Sequence, residues 1–213
     1  MMCLFCGSDS RNRHVASAIM KNLFPELKSI SMIPDTETDI KIYNMGMNDS
    51  FEKELYRYQE YYQSEYLENI SPGTETSTRK YCQDVEKLSF PDSTFDLIIS
   101  EDVFEHVRNS GKGFQEVHRV LKKGGYHIFT VPCYFDRKTI VRVDTRGKDD
   151  IHILPKEYHG DPNRGQILAY RNFGIDIYEP LSNHGFYTEM YLSRYRDQKY
   201  GIYDSSVFVS KAM

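Results

Sequence analysis

The sequence contains no tryptophan and no run of about eighteen apolar residues, so nothing in it reads as a membrane-spanning helix. Its start, MMCLFCGSDSRNRH, lacks the long apolar core of a secretory signal. A cytoplasmic protein is therefore expected. Cysteine is scarce, at four residues. Cys3 and Cys6 form one CxxC with Gly7 behind it, and no second CxxC exists. Two thiolates at that spacing can clasp a metal, but a closed zinc site needs four ligands. Cys82 and Cys133 fall inside or just after expected strands, so the pair is either half a zinc knuckle or two inert thiols, and no metal is expected. No strong excess of one charge is present: 27 basic against 31 acidic residues give a net charge of −4, mixed along the chain. That balance argues against a general nucleic-acid binder. A GxGxxG turn is missing, which weakens a nicotinamide-dependent oxidoreductase reading. Repeats and low-complexity segments are absent as well. What remains is a 213-residue chain, long enough for one large core, with 17 tyrosines that suit a polar groove or half-buried packing.

The chain is organised around residues 81–132. Phe95, Leu97, Ile98 and Ile99 follow the turn Pro91-Asp92-Ser93, and so short an apolar run suits a strand buried on both faces. It ends in acid, at Glu101, Asp102 and Glu105. A helix is expected next, with Phe114, Val117, Val120 and Leu121 on one face, Lys122 and Lys123 in its last turn, and Gly124-Gly125 as its stop. YHIFTVP then reads as a second buried strand. Two apolar strands joined by an amphipathic helix make a right-handed βαβ unit of a parallel sheet. Ligands bind beyond the carboxyl ends of such strands, where Glu101 and Asp102 fall.

QDVEKLSFPDSTFDLIISEDVFEHV followed by EVHRVLKKGGYHIFTVP resembles the second half of a class I S-adenosylmethionine-dependent methyltransferase, of the type-11-like group. The order of features carries the likeness: Asp84 after one strand, FPDSTFD before the next, EHV after it, RVLKKGG before the last. The resemblance extends over most of the chain from about Ile40. It implies an α/β, doubly wound, Rossmann-like sheet of seven mostly parallel strands with an antiparallel C-terminal strand, and S-adenosylmethionine as cofactor. It also implies that Asp84 accepts the adenine amino group, that the Val85 amide meets the ring, and that His106 stands beside the cofactor at the head of the following helix. From the residues alone, Asp84 could instead be the N-cap of a helix over VEKL, and His106 could be satisfied by local backbone.

Upstream, Ser10 is expected to cap a helix carrying Val15, Ile19 and Leu23, which resembles a lid helix before the nucleotide-binding core. Residues 28–39 read as a loop or short strand. IKIYNMGMNDSFEKEL reads as strand, Gly46 turn and helix capped by Asp49 or Ser50, the context in which backbone can approach a nucleoside. The family pattern has an acid and several glycines at this turn. Asn44 stands where the acid is expected, and Gly46 is the single glycine. SEYL followed by PG is similar to a bacterial subgroup with a glycine-poor first turn. Glu65, at the end of the next strand and about twenty residues past Gly46, can accept both ribose hydroxyls or be a solvent glutamate.

After Pro132 comes a long polar segment with Arg137, Lys138, Arg142, Arg146 and Lys148. An insertion of this length is usually functional or disordered, and at this place it would cover the acceptor site. The cations could meet an anionic acceptor or form a solvated face. YHGDP resembles the corresponding stretch of the same subgroup. His159 within it is a candidate general base, or a packing residue in a turn made by Gly160, Asp161 and Pro162. Residues 175–181 read as a helix ending at Gly185, and FYTEMYLSRY and SSVFVSKA as an antiparallel edge pair. One domain is expected over 1–213: an N-terminal helix and loop (1–39), a cofactor-binding core (40–132), an acceptor-lid insertion (133–170) and a C-terminal sheet edge (171–213). The expected site comprises Gly46, Glu65, Asp84, Val85, Glu101, Asp102 and His106 for the cofactor, with His159 and His106 catalytic. The expected function is methyl transfer from S-adenosylmethionine to a small acceptor such as a sugar or another polar metabolite, without membrane or general nucleic-acid partners. The alternative is a non-catalytic cofactor-binding or partner-binding module with a decayed first turn.

Overall fold

A computed structural model describes residues 3, 7–47, 49–161, 165–193, 197 and 200–213. In chain order the elements are α1 (Ser10–Leu23), β1 (Ile42–Asn44), α2 (Ser50–Leu55), β2 (Tyr61–Glu65), β3 (Glu75–Ser77), β4 (Lys80–Cys82), β5 (Phe95–Glu101), α3 (Ser110–Val120) and β6 (Leu121–Thr130). The insertion runs past its expected boundary at residue 170 and adds β7 (Cys133–Tyr134), β8 (Ile140–Val141), β9 (Val143–Asp144), β10 (Ile151–His152), β11 (Tyr158–Asp161), β12 (Gly165–Leu168) and β13 (Arg171–Gly174), the last paired with β7 and β8 and not with the C-terminal sheet edge. α4 (Tyr178–Asn183), β14 (Phe186–Ser193) and β15 (Ser205–Ala212) complete the order. Among the described residues no helix is long and apolar enough to cross a membrane.

One sheet of eight strands runs β14-β15-β6-β5-β1-β2-β4-β3. β4, β2, β1, β5 and β6 pair in parallel, while β15 lies antiparallel between β6 and β14. This is the expected doubly wound sheet with its antiparallel C-terminal strand; β3, antiparallel to β4, adds an eighth strand at the edge. Side chains alternate across a strand, so a sheet covered on both faces needs apolar residues of both parities. Ile42, Leu97, Ile99, Ile128, Val207 and Val209 pack on one face with Val15 and Ile19 of α1. Tyr43, Ile98, Phe129 and Phe208 pack on the other with Phe114 and Val117 of α3.

Three local expectations are corrected. Lys122 and Lys123 do not lie in the last turn of α3: the helix ends at Val120 and the chain enters β6 at once. Leu121 pairs with Phe95, then Lys122–Gly125 bulge before Tyr126 pairs with Leu97. Gly124 takes a left-handed φ of 81°, and a Cβ on Gly125 would stand 2.9 Å from the Lys122 carbonyl oxygen. The glycine pair therefore shapes a bulge within a strand rather than a helix stop. The cap of α1 is Asp9, which forms a reciprocal capping box with Asn12. Ser10 instead links the chain's two ends: its hydroxyl donates to the Tyr203 carbonyl at 2.6 Å and accepts from the Tyr203 amide at 2.8 Å. Within residues 28–39, Ile30–Asp35 form a 3-10 turn that buries Ile33, not a strand.

The insertion is built from short ladders. β9 pairs β10, β11 pairs β12, and β13 lies between β7 and β8. Its polar surface is largely self-paired: Arg137 meets Asp136, Arg142 meets Glu157 and Arg146 meets Asp144.

Candidate functional site

Register places the predicted cofactor residues on one edge. Asn44 lies opposite Gln63 of β2 and Ile99 of β5. Two residues further along each strand stand Gly46, Glu65 and Glu101, side by side on adjacent strands. Glu65 lies opposite Cys82 of β4, and Asp84 is two residues beyond that. Gly46, Glu65, Asp84 and Glu101 thus share the carboxyl end of the parallel strands.

Behind Gly46 is a buried polar network. Asn44 donates to Asp49 Oδ2 at 2.6 Å and to the Tyr61 hydroxyl at 2.9 Å. Asp49 caps α2 by accepting from the Glu52 amide at 2.8 Å, and burial raises its carboxyl above the ordinary range. A Cβ at Gly46 would stand 2.7 Å from Asp49 Oδ2. Gln63 donates to the Gly46 carbonyl at 3.2 Å. The single glycine therefore lets the Asp49 carboxyl close on the turn, where Asn44 donates to it. Asp84 Oδ1 accepts from the Glu86 amide at 2.9 Å, and the Lys87 amide donates to the Asp84 carbonyl at 3.0 Å. VEKL is a turn and not a helix, with Val85 packed against the core. Glu65 and Asp84 are both half-buried, their strand ends adjacent. Two carboxylates at adjacent strand ends beside a backbone turn are the acceptor set that ribose hydroxyls and an adenine amino group require, so the residues present fit S-adenosylmethionine.

Glu101 and Asp102 are engaged from α1. Asn12 Nδ2 donates to both Glu101 oxygens, at 3.0 and 2.7 Å. Burial nevertheless pushes the Glu101 carboxyl up to about 8, with nearby Arg11 working the other way. Asp102 adopts a left-handed φ of 51°. Its amide donates to the Thr130 carbonyl at 3.0 Å, its Oδ1 accepts from the Thr130 hydroxyl at 2.9 Å, and its Oδ2 accepts from Arg11 Nη1. These contacts wall a cleft of about 420 Å³ between Asp9, Arg11, Asp102, Thr130 and Tyr203.

His106 and His159, distant in sequence, are brought together: their ring centroids are 4.9 Å apart and the rings nearly perpendicular. His106 ends a short 3-10 turn, Phe104–His106, and does not head a longer helix. Its Nδ1 lies 2.8 Å from the Leu168 carbonyl of β12. His159 Nε2 lies 3.2 Å from Glu157 Oε1, and Glu157 is also held by Asn172 at 2.8 Å and Arg142 at 2.9 Å. Between the two imidazoles stands Glu105. Its side chain is 1 % exposed, 3.7 Å from His106 Nε2 and 3.6 Å from His159 Nδ1. Burial first, and the charge of Asp102 second, push its carboxyl up to about 8. In the sequence Glu105 stands out only as part of an acidic run, and no local pattern marks Glu157.

A buried arginine fixes this arrangement. Arg171 of β13 donates through Nη1 to the carbonyls of Phe104 and Val107, at 2.9 and 2.6 Å, and through Nη2 to that of Arg108 at 2.8 Å. Desolvation pushes its guanidinium down to about 10. The Tyr170 amide donates to the Glu105 carbonyl at 2.9 Å. The insertion is thus clamped to the loop after β5. Of the N-terminal thiol pair, Cys6 lies outside the described residues. Cys82 is buried in β4, and burial raises the Cys133 thiol to about 11.

Residues 52–129 match the family described as a methyltransferase domain. An uncharacterised protein of Methanocaldococcus jannaschii is 29% identical over 119 residues, 56% of this chain and 46% of that protein. Sarcosine/dimethylglycine N-methyltransferase of Aphanothece halophytica is 34% identical over 68 residues, 32% of this chain and 24% of that enzyme. The chain thus spans about half or less of the length of the curated relatives it matches. The structure of an S-adenosylmethionine-dependent methyltransferase from Clostridium acetobutylicum superposes with a TM-score of 0.52 at 12% identity, covering 92% of this chain and 97% of that one. That likeness shows the fold. The methyltransferase-domain match is confined to residues 52–129, and the likeness to solved S-adenosylmethionine-dependent methyltransferases is one of fold.

Proposed function

We propose that this chain transfers a methyl group to a hydroxyl of a small polar acceptor, such as a sugar, bound between the ends of β5 and β6 and the insertion. The observation that supports this reading is the convergence of Glu105, His106 and His159 at the end of β5, beside the edge that carries Gly46, Glu65 and Asp84. S-adenosylmethionine supplies an electrophilic methyl on sulfur, so the chain's own work is to align two reactants and keep water out. In this reading Glu65 holds the ribose, Asp84 and Val85 hold the adenine, and Gly46 gives the backbone its close approach. A hydroxyl must lose its proton as the new carbon–oxygen bond forms. The histidine pair supplies the group that takes it, with His159 on the more exposed side and oriented by Glu157.

The test begins with a screen of sugars, amines and acids for turnover with S-adenosylmethionine. On an accepted substrate, His159→Ala should lower turnover by ~10²–10⁴-fold, the usual share of a proton-transfer group, and leave S-adenosylhomocysteine affinity nearly unchanged. Full turnover in the variant would remove His159 from the chemistry. Loss of cofactor affinity instead would mean that the hairpin β11–β12 belongs to the cofactor end.

A further inference from the structure

We propose that Glu105, His106 and His159 form a binding site for one divalent first-row transition cation of the zinc, manganese or iron type. Each side chain offers one ligand atom, and the three atoms lie within 4.8 Å of one another. Glu105 Oε1 stands 3.7 Å from His106 Nε2 and 3.6 Å from His159 Nδ1. Those separations are too long for hydrogen bonds. They match two ligands straddling an ion: at about 2.1 Å from a tetrahedral centre, ligands stand about 3.4 Å apart.

Two independent features point the same way. The Glu105 carboxyl is buried, and neither of its oxygens has a hydrogen-bond partner among the described residues. A buried carboxylate without donors is costly, and a cation between it and the imidazoles removes that cost. The outward nitrogens of both rings are anchored. His106 Nδ1 sits on the Leu168 carbonyl and its Nε2 faces Glu105; His159 Nε2 sits on Glu157 and its Nδ1 faces Glu105. Metal-binding histidines are oriented in this way, with the second ring nitrogen donating to a carbonyl or carboxylate. Asn172 and Arg142 in turn fix Glu157, so the orientation is set before any ion arrives.

The donor set chooses the ion. Two imidazoles and one carboxylate suit zinc, iron or manganese, whereas calcium and magnesium prefer all-oxygen shells. Three protein ligands leave coordination positions open, and the His159 side of the cluster is partly exposed. Those positions would receive oxygens of the polar acceptor. This last step rests on the proposed function, and an ion held there would take over from the imidazoles the task of easing the acceptor's deprotonation; the cation site itself does not rest on that reading.

The full chain, stripped with chelator and dialysed, is titrated with Zn²⁺ by calorimetry and with Co²⁺ by visible absorption. One equivalent of Zn²⁺ per chain is expected, with cobalt bands characteristic of mixed nitrogen and oxygen ligands. Glu157→Gln should weaken Zn²⁺ by about 10–100-fold, and His106→Ala and His159→Ala by more than that. His106→Gln replaces the alanine variant if that one melts early. Cys3→Ser should leave Zn²⁺ binding unchanged, which separates this site from the N-terminal CxxC. No uptake by the parent, uptake that survives both histidine substitutions, or uptake abolished by Cys3→Ser would each overturn the site. S-adenosylhomocysteine is titrated separately. Zinc uptake without S-adenosylhomocysteine binding would sink the methyl-transfer reading and leave the cation site standing, and the converse pattern would do the reverse.

Discussion

In the proposed cofactor site, Glu65 is the side chain whose removal is simplest to read. It closes β2 level with Gly46, and its removal takes away the acceptor proposed for the ribose. Glu65→Ala should weaken S-adenosylhomocysteine by ~1–3 kcal/mol, the scale on which a lost hydrogen-bond partner is felt. A parent-like titration by a folded variant would end that assignment. A second residue reports on acid stability. His127 is fully buried between Phe104 and Phe129, with Nε2 2.9 Å from the Ser100 hydroxyl, and burial pushes its imidazole down to about 3. The unfolded chain takes up that proton near the ordinary histidine value, the folded chain only near 3. His127 therefore costs no stability above about pH 6.5 and withdraws up to ~1.4 kcal/mol per pH unit as pH falls from there towards 3. Urea unfolding of the parent and of His127→Gln across that range should show the extra slope only in the parent. Strand-end positions were legible in part: those of Gly46 and Glu65 from the strand pattern and spacing, that of Asp84 from the order of motifs in the family resemblance. Glu105 was not, because its meaning lies in contact with His159 across a fold that no local pattern encodes. Asp49 was legible as a cap, but its second contact with Asn44 needed the bend at Gly46.

Among the elements, β13 has an importance its four residues do not suggest. Through Arg171 it satisfies three carbonyls of the loop that carries Glu105 and His106. Bonds from a charged donor are worth about 1.5–3 kcal/mol, and losing them leaves buried acceptors unmet. Arg171→Ala should therefore lower stability by ~2–4 kcal/mol, and the amides of residues 104–108 should exchange with solvent faster than those of β5. Arg171→Lys should recover little, since one ammonium cannot reproduce the planar fork. Equal exchange in parent and variant would mean that the clamp does not hold the loop. The core strands and α3 could be read from periodicity because burial on both faces leaves so strong a pattern. The start of β6 could not: Lys122 and Lys123 suit the end of a helix as well as they suit a bulge, and only pairing with Phe95 decides between them. The ladders of the insertion were illegible for a related reason, as strands of two to four residues carry too few side chains to show alternation.

At the scale of the molecule, the proposed cofactor and acceptor functions divide along the sheet. β4, β2 and β1 present the row of Glu65, Asp84 and Gly46, while the loop after β5 and strand β11 present the histidine cluster. Calorimetry should accordingly give heat with S-adenosylhomocysteine and none with NAD; heat with NAD alone would move the chain to a different class of ligand. The arrangement of the sheet also has a consequence in time. β15 is later in sequence than every other strand, yet its place is in the interior, between β6 and β14. During synthesis the ribosome releases β14 before the strand that must join it to the sheet, so a nascent chain reaching only Asp204 offers two unpaired borders. Exposed borders of that kind recruit other chains. A version stopped at Asp204 should emerge aggregated, and residues 205–212 added as a separate peptide should restore part of the soluble fraction. The parallel half of the sheet can form while translation continues; closure waits for residues 205–212 to leave the exit tunnel.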